Sequence, residues 1–285
     1  MTEPSAKILA DSISPEGNRL TTMEIVIHRY CLSEFNTHRA LSRNSASSRA
    51  IPVKRQIQRV IDDPAVPVSF PIEKAGMQGG NELSDVERDK ALKYWLDARM
   101  RAVTSAEHLV AIGVHKSVVS RILEPWLMQT IICSATEWNN FFIQRCSPLA
   151  QPEIKVAAEA MKNAYDTSTP IPLTEGQWHL PYIGDEDWEE LWSRNGWNGI
   201  EESGIESLKQ WSVARCARVS YKTFEGNRDW DADTDLYNKL VMASPPHASP
   251  LEHVATPQNP NIGDIIPGNF HGWRQLRHEV LGETK

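Results

Sequence analysis

The residues with the most chemistry per position lie in one run, Thr37-His38-Arg39-Ala40-Leu41-Ser42-Arg43-Asn44-Ser45-Ala46-Ser47-Ser48-Arg49. It holds three arginines, a histidine, an asparagine and four serines in thirteen residues, with almost no apolar periodicity. Forked guanidinium donors and short hydroxyls hold phosphates and carboxylates, so the run is a candidate anion site. A solvated basic turn is the alternative that composition leaves open. Two more arginines, Arg121 and Arg145, sit among apolar neighbours: Ile122 and Leu123 around the first, Phe141, Phe142 and Ile143 around the second. Each needs an anionic partner, because a buried unpaired charge is costly. Glu124, Glu137 and Glu153 are the carboxylates at hand, and a bound anion is the other solution.

Composition narrows the field. A net charge of −7 argues against a general binder of nucleic-acid polymers, and a local basic site on an acidic body suits a small anionic ligand better. No run approaches the length of a membrane span, and Met1-Thr2-Glu3-Pro4 does not open a signal peptide, so a soluble, cytoplasmic protein is expected. Cys31, Cys133, Cys146 and Cys216 are scattered, with no Cys-x-x-Cys pair and no histidine at zinc-ligand spacing; they read as buried free thiols, and no metal site is expected. The aspartates of Asp229 to Asp235 invite a calcium-loop reading, but the turn glycine and closing glutamate are missing, and charge at the start of a helix over 236–242 explains them.

The elements that must position these groups follow from patterning. Residues 7–10 and 22–30 read as strands, the second feeding directly into the arginine-rich run. Prolines 52, 64, 67 and 71 and the glycines of 76–80 predict an extended loop from Ile51 to Gly80. Ser84 and Glu87 form a capping box for a long helix ending at Gly113, with Ala91, Leu92, Trp95, Leu96, Val103, Ala106, Leu109 and Val110 on one face. A helical block is expected from Ser117 to about Ala164, interrupted near Pro125 and restarting at Pro148. Ser203 and Glu206 form a second capping box, for a helix through Leu208, Trp211 and Val213. Six of the ten tryptophans (178, 188, 192, 197, 211 and 230) fall in one region, which implies folding around indole packing.

His38, Arg39, Ser42, Asn44, Ser47 and Arg49 form His-Arg-x-x-Ser-x-Asn-x-x-Ser-x-Arg, which resembles the signature of the flavin-dependent thymidylate synthases, with Thr37 where that family opens on an arginine. Ser120-Arg121-Ile122-Leu123 resembles the family's first helical arginine region. Asn140-Phe141-Phe142-x-x-Arg145 with Ala150-Gln151-x-Glu153 resembles its second, with Leu149 where many members carry histidine. Ala217-Arg218-Val219-Ser220 and His247-Ala248-Ser249-Pro250-Leu251-Glu252-His253 resemble two further family segments that usually precede the signature, so the chain reads as circularly permuted. Gly272 to His278 resembles the strand before the signature, and Arg274 or Arg277 is a candidate replacement for the charge missing at Thr37; an ordinary basic C-terminal segment is the alternative. Residues 167–203 match nothing in the family pattern and read as an insertion in a single catalytic domain spanning 1–285.

The resemblance implies an α+β fold, a mixed sheet flanked by long helices, and a homotetramer. It implies reductive methylation of dUMP to dTMP with FAD, methylenetetrahydrofolate and NADPH. Ser47, Arg49, Arg121, Arg145, Gln151 and Glu34 then fall to the nucleotide, with Ser47 and Arg145 catalytic; His38, Arg39, Ser42, Asn44, Asn140, His247, Ser249 and Glu252 fall to the flavin. Glu34 stands where members commonly have glutamine; pairing with Arg39 or Arg29 is its structural alternative. A flavin carries the hydride and the one-carbon unit, which suits a chain offering arginines and hydroxyls and no evident Ser/His/Asp set. A hydroxymethylase or methylase acting on dUMP or dCMP, and a non-enzymatic nucleotide-binding protein, are the rival readings.

Overall fold

Strands β1 (Ser5–Ile13) and β2 (Arg19–His28) pair as an antiparallel hairpin and found the main sheet. This computed structural model describes residues 2–195, 202–220, 226, 228–258 and 268–282, so Trp197 lies outside the described residues. Beyond β2 the chain turns through a 3-10 helix, Arg29–Cys31, and a short helix α1 (Leu32–Asn36) before strand β3 (Ser42–Ser45). The arginine-rich run therefore follows a helix and contains a strand of its own, instead of continuing β2. Arg43 fixes the turn: its Nη1 donates to the carbonyls of His38 at 2.7 Å and of Phe35 and Asn36 at 3.5 Å, the open carbonyl end of α1.

Helix α2 (Val53–Asp62) occupies part of the expected loop. Pro52 and Pro64 bracket it, and Val53, Gln56, Ile57 and Val60 recur at helical spacing to form its buried face. A hairpin over 70–83 leads to α3 (Asp85–Ala111), whose capping box between Ser84 and Glu87 is present as expected and which ends ahead of Gly113 at φ +83°. Of its apolar positions only Val103 and Ala106 are buried; Ala91, Leu92, Trp95 and Leu96 are half-buried. After α4 (Lys116–Val119) and a 3-10 turn, Ser120–Trp126, comes strand β4 (Met128–Ala135) in place of continuous helix. It pairs with β2 from Met128 to Ala135 and with β3 from Ile131 to Ser134, and a strand covered on both faces has a run of apolar residues that mimics a buried helix. Helices α5 (Asn139–Arg145) and α6 (Pro152–Thr167) follow, so the helix-starting proline is Pro152 and not Pro148.

With β5 (Ile171–Pro172) parallel to β1, the sheet order is β3-β4-β2-β1-β5 and the fold is α+β with a mixed sheet. Met23, Ile25, Ile27, Ile131 and Cys133 point to one face, against Phe141, Phe142, Ile154, Ala157 and Met161 of α5 and α6. The other face carries Thr22 and Ser134 and is covered by the chain beyond β5, where His179 and His253 meet those hydroxyls. That half comprises α7 (Asp185–Asn195), α8 (Glu202–Arg218), α9 (Trp230–Val241), a 3-10 turn Ser249–His253, a hairpin of β6 (Ala255–Pro257) and β7 (Trp273–Gln275), and α10 (Leu276–Leu281). Helix α8 begins at Glu202, which puts Ser203 inside it instead of ahead of it. Helix α9 begins at Trp230, earlier than expected, with Asp229 as its cap and Asp233 buried against Arg215 at 2.8 Å. Arg215 also binds Asp187 of α7 at 2.7 Å through two nitrogens, and Trp211, Trp188 and Trp230 pack around Leu191 and Leu208 nearby. Cys31, Cys133 and Cys216 are buried and Cys146 partly so, all as free thiols. No helix among the described residues is long and apolar enough to cross a membrane.

Candidate functional site

The last residue of α5 reaches back to the arginine-rich run. Arg145 Nε donates to His38 Nε2 at 2.8 Å, and its Nη2 donates to Thr37 Oγ1 at 3.3 Å and the Glu34 carbonyl at 3.4 Å. His38 Nε2 must be the acceptor, which places the imidazole proton on Nδ1. Burial, then the charges of Arg145 and Arg43, hold His38 below the usual histidine value, so it stays neutral. The guanidinium at Thr37 is thus Arg145; Arg274 and Arg277 are engaged within their own segment, with Glu279 at 2.7 Å and with Glu252.

Beside this contact lies a cavity of about 620 Å³, lined among others by Glu34, Arg145, Leu149, Gln151 and Glu153. Glu34 belongs to α1, not to a strand, and pairs with neither Arg39 nor Arg29; its carboxylate accepts from Ser33 Oγ at 2.7 Å. The opposite wall is the 70–83 hairpin, with Met77, Gln78, Gly79, Gly80 and Glu82. Glu153 is buried and accepts the Val68 N–H at 3.0 Å, so it anchors the hairpin's base and is not an arginine's partner.

The remaining site residues fall elsewhere. Ser42 and Asn44 point from β3 into the protein: Ser42 Oγ accepts from Asn269 and Gln275 at 3.2 and 3.3 Å, and Asn44 Nδ2 donates to the Cys216 carbonyl at 3.3 Å. Both side chains are buried. The Ser47 N–H donates to the Ser220 carbonyl at 3.1 Å, and Ser134 Oγ bonds His253 Nδ1 at 2.8 Å. The segments that come last in the chain therefore sit against β3 and β4. Ser47 does not line the cavity that Arg145 lines. Arg121 binds Glu124 at 2.9 Å, the salt-bridge solution, and the same carboxylate takes Arg29 at 3.1 Å and Ser48 Oγ at 3.2 Å. Glu252 is held by Arg277. Arg39, Arg49, Asn140, His247 and Ser249 are exposed with no side-chain partner among the described residues.

Gln78 and Glu82 of the cavity wall carried no signal of their own in the sequence. Only the glycine cluster at 76–80 hinted that the hairpin has a special backbone path.

A sequence profile of the thymidylate synthase complementing protein family matches residues 19–171. None of the curated proteins matches the sequence. Among solved structures, the chain is similar to a UMP/dUMP methylase PolB from Streptomyces cacaoi bound with 5-Br UMP, at 13% identity and TM-score 0.47, over 58% of this chain and 89% of that one. The same enzyme bound with 5-Br dUMP gives 13% identity and TM-score 0.46, over 58% and 90%.

Proposed function

The chain belongs to the thymidylate synthase complementing protein family, and we propose that it methylates dUMP to dTMP reductively, with FAD, methylenetetrahydrofolate and NADPH. The observation that carries the nucleotide part is the cavity in which Arg145, Gln151 and Glu34 converge from α1, α5 and the start of α6. Arg145 meets the nucleotide as a cation whose direction is fixed by neutral His38. Arg39 and Arg49 have no ion pair among the described residues, which suits a homotetramer whose sites take these guanidiniums from a second copy. The exposed apolar side chains of α3, Val86 and Tyr94 at 66% and 72%, favour the same assembly.

The donors open to a flavin are Arg39, Asn140, His247 and Ser249, a set of cation, amide, imidazole and hydroxyl that fits a phosphate-bearing cofactor. FAD, when bound, supplies the hydride and one-carbon chemistry. The protein's own residues bind and orient; Ser47, just beyond β3 with its N–H on the Ser220 carbonyl, is the hydroxyl offered to the nucleotide. Residues 167–203 are an addition to the catalytic unit, and the profile match stops inside them.

Mass analysis of products from dUMP and dCMP, with methylenetetrahydrofolate and NADPH, is the test. Formation of dTMP by a yellow protein is the expected result. A hydroxymethylated product or a preference for dCMP establishes the related reaction, to which Glu34 in the cavity points. A colourless protein that binds dUMP and turns nothing over is a nucleotide-binding protein.

A further inference from the structure

The wall of the cavity opposite Arg145 is a hairpin to which no role has yet been given. Its arms are fixed: Ile72 N–H donates to Asn81 O at 2.8 Å, Gly80 N–H to Ile72 O at 2.7 Å and Leu83 N–H to Phe70 O at 3.1 Å. Glu82 accepts the Phe70 N–H at 3.1 Å, and buried Glu153 accepts that of Val68 at 3.0 Å. The tip is built differently. Gly76 has φ +112°, and a side chain at Gly79 would put Cβ 2.5 Å from Pro71 Cβ and Cγ, so the tip folds down onto its own arm because position 79 is bare. Between these glycines Met77 is 99% exposed, and Gln78 Nε2 makes one contact, at 3.4 Å to the Leu149 carbonyl across the cavity.

We propose that the 70–83 hairpin is a clamp that closes on the pyrimidine nucleotide, and that Gln78 is its ligand-contacting residue. The proposal rests on the nucleotide reading of the cavity given above. A contact at 3.4 Å lies at the outer limit of hydrogen bonding, so the Gln78 amide exchanges it for a ligand group at little cost. A carboxamide both donates and accepts, which matches the adjacent ring N–H and carbonyl of uracil and, with the amide turned over, the ring nitrogen and amine of cytosine. Gln78 therefore recognises a pyrimidine without choosing between the two, which leaves that choice to Glu34 across the cavity. The hairpin carboxylate that lines the cavity, Glu82, is already occupied by a backbone N–H and does not compete for the ligand.

Two readouts on the full-length protein test this: dUMP titration by calorimetry, and trypsin cleavage after Lys74, which lies exposed in the hairpin, followed by mass. Gln78→Ala is expected to weaken dUMP binding about tenfold, the worth of a buried hydrogen bond. Gly79→Ala, which lifts the tip and carries the unaltered Gln78 side chain away from the cavity, is expected to weaken it similarly, and Gln144→Ala on the exposed side of α5 to leave it unchanged. In the parent, dUMP is expected to slow cleavage at Lys74. Unchanged affinity in Gln78→Ala, or equal cleavage at Lys74 with and without dUMP in a protein that binds it, overturns the clamp. A parent that does not bind dUMP overturns the nucleotide reading, and the clamp with it; the parent titration separates the two failures.

Discussion

Arg145 Nε donates to His38 Nε2 across 2.8 Å, joining residues 107 positions apart. The bond needs a neutral imidazole, and burial with two neighbouring guanidiniums keeps His38 neutral below the pH at which a free histidine charges. Replacing Arg145 with Ala is expected to weaken dUMP binding by about 10- to 150-fold, the range for a charge-assisted hydrogen bond. Because the folded-state value of His38 is depressed, affinity in the parent is expected to stay level from pH 8 to about 6.5 and to fall only below that, as His38 gains a proton and turns from acceptor to repelling cation. Titrations across that range check it; a decline centred at or above the ordinary histidine value shows that His38 does not set the arginine.

Glu34 faces the cavity with a carboxylate that only accepts, where a glutamine would also donate. An exocyclic amine suits it and a carbonyl oxygen does not. Glu34→Gln is expected to shift preference from dCMP toward dUMP by about 1–3 kcal/mol, measured as the ratio of the two affinities. With no ion pair to Arg39 or Arg29 to break, the substitution leaves the fold intact. An unchanged ratio removes Glu34 from base selection.

The C-terminal segment cannot be tested by deletion. Removing 244–285 takes away buried Leu251, Val254, Trp273 and Leu276, each worth about 1.5–3 kcal/mol, a sum comparable to a whole domain's stability. His247 and Ser249 are exposed, so His247→Ala combined with Ser249→Ala is expected to release FAD while leaving the melting temperature of the flavin-free protein unchanged. Stoichiometric FAD in the purified double variant removes the C-terminal motif from the flavin site.

Much of this arrangement was legible in residue order because the signals were local. The Ser84 capping box, the alternation of Met23, Ile25 and Ile27, and the arginines near the cavity all declare themselves within a few positions. What was not legible depends on partners far off in the chain. Strand β4 is a strand because β2 and β3 bracket it, although its apolar run fits a helix equally well. Prolines 52 and 64 look like loop markers until the Val53, Ile57 and Val60 face of α2 is seen against Val103 and Leu123. Arg121 meets Glu124 three residues away, whereas Arg145 has a histidine and an open cavity. Ser42 and Asn44 fit the family signature, yet strand alternation turns both toward the interior, and spacing alone does not say which face of β3 is wet.

The two halves of the chain meet in a buried hydroxyl and imidazole chain, and its chemistry sets an acid limit on stability. Ser12 Oγ bonds His179 Nδ1 at 2.9 Å, His179 Nε2 bonds Thr22 Oγ1 at 2.7 Å, Thr22 bonds Ser134 Oγ at 2.6 Å and Ser134 bonds His253 Nδ1 at 2.8 Å. A neutral imidazole has one donor and one acceptor nitrogen, and a proton added to either histidine turns its acceptor nitrogen into a donor and places a charge inside this buried chain. Burial accordingly lowers both histidines to about 3. In the unfolded chain these two histidines take up protons that they refuse in the folded protein, so their contribution is complete above about pH 6.5 and the fold loses about 1.4 kcal/mol per histidine for each pH unit below it. At about 2.7 kcal/mol per unit for the pair, a stability of about 5 kcal/mol is exhausted between pH 4 and 5. Urea midpoints measured from pH 7.5 down to 5 are expected to show this slope. His179→Gln, whatever its cost at neutral pH, is expected to lower it by about 1.4 kcal/mol per pH unit, because one refused proton is gone; a slope that the substitution leaves unchanged shows that acid acts on the protein elsewhere.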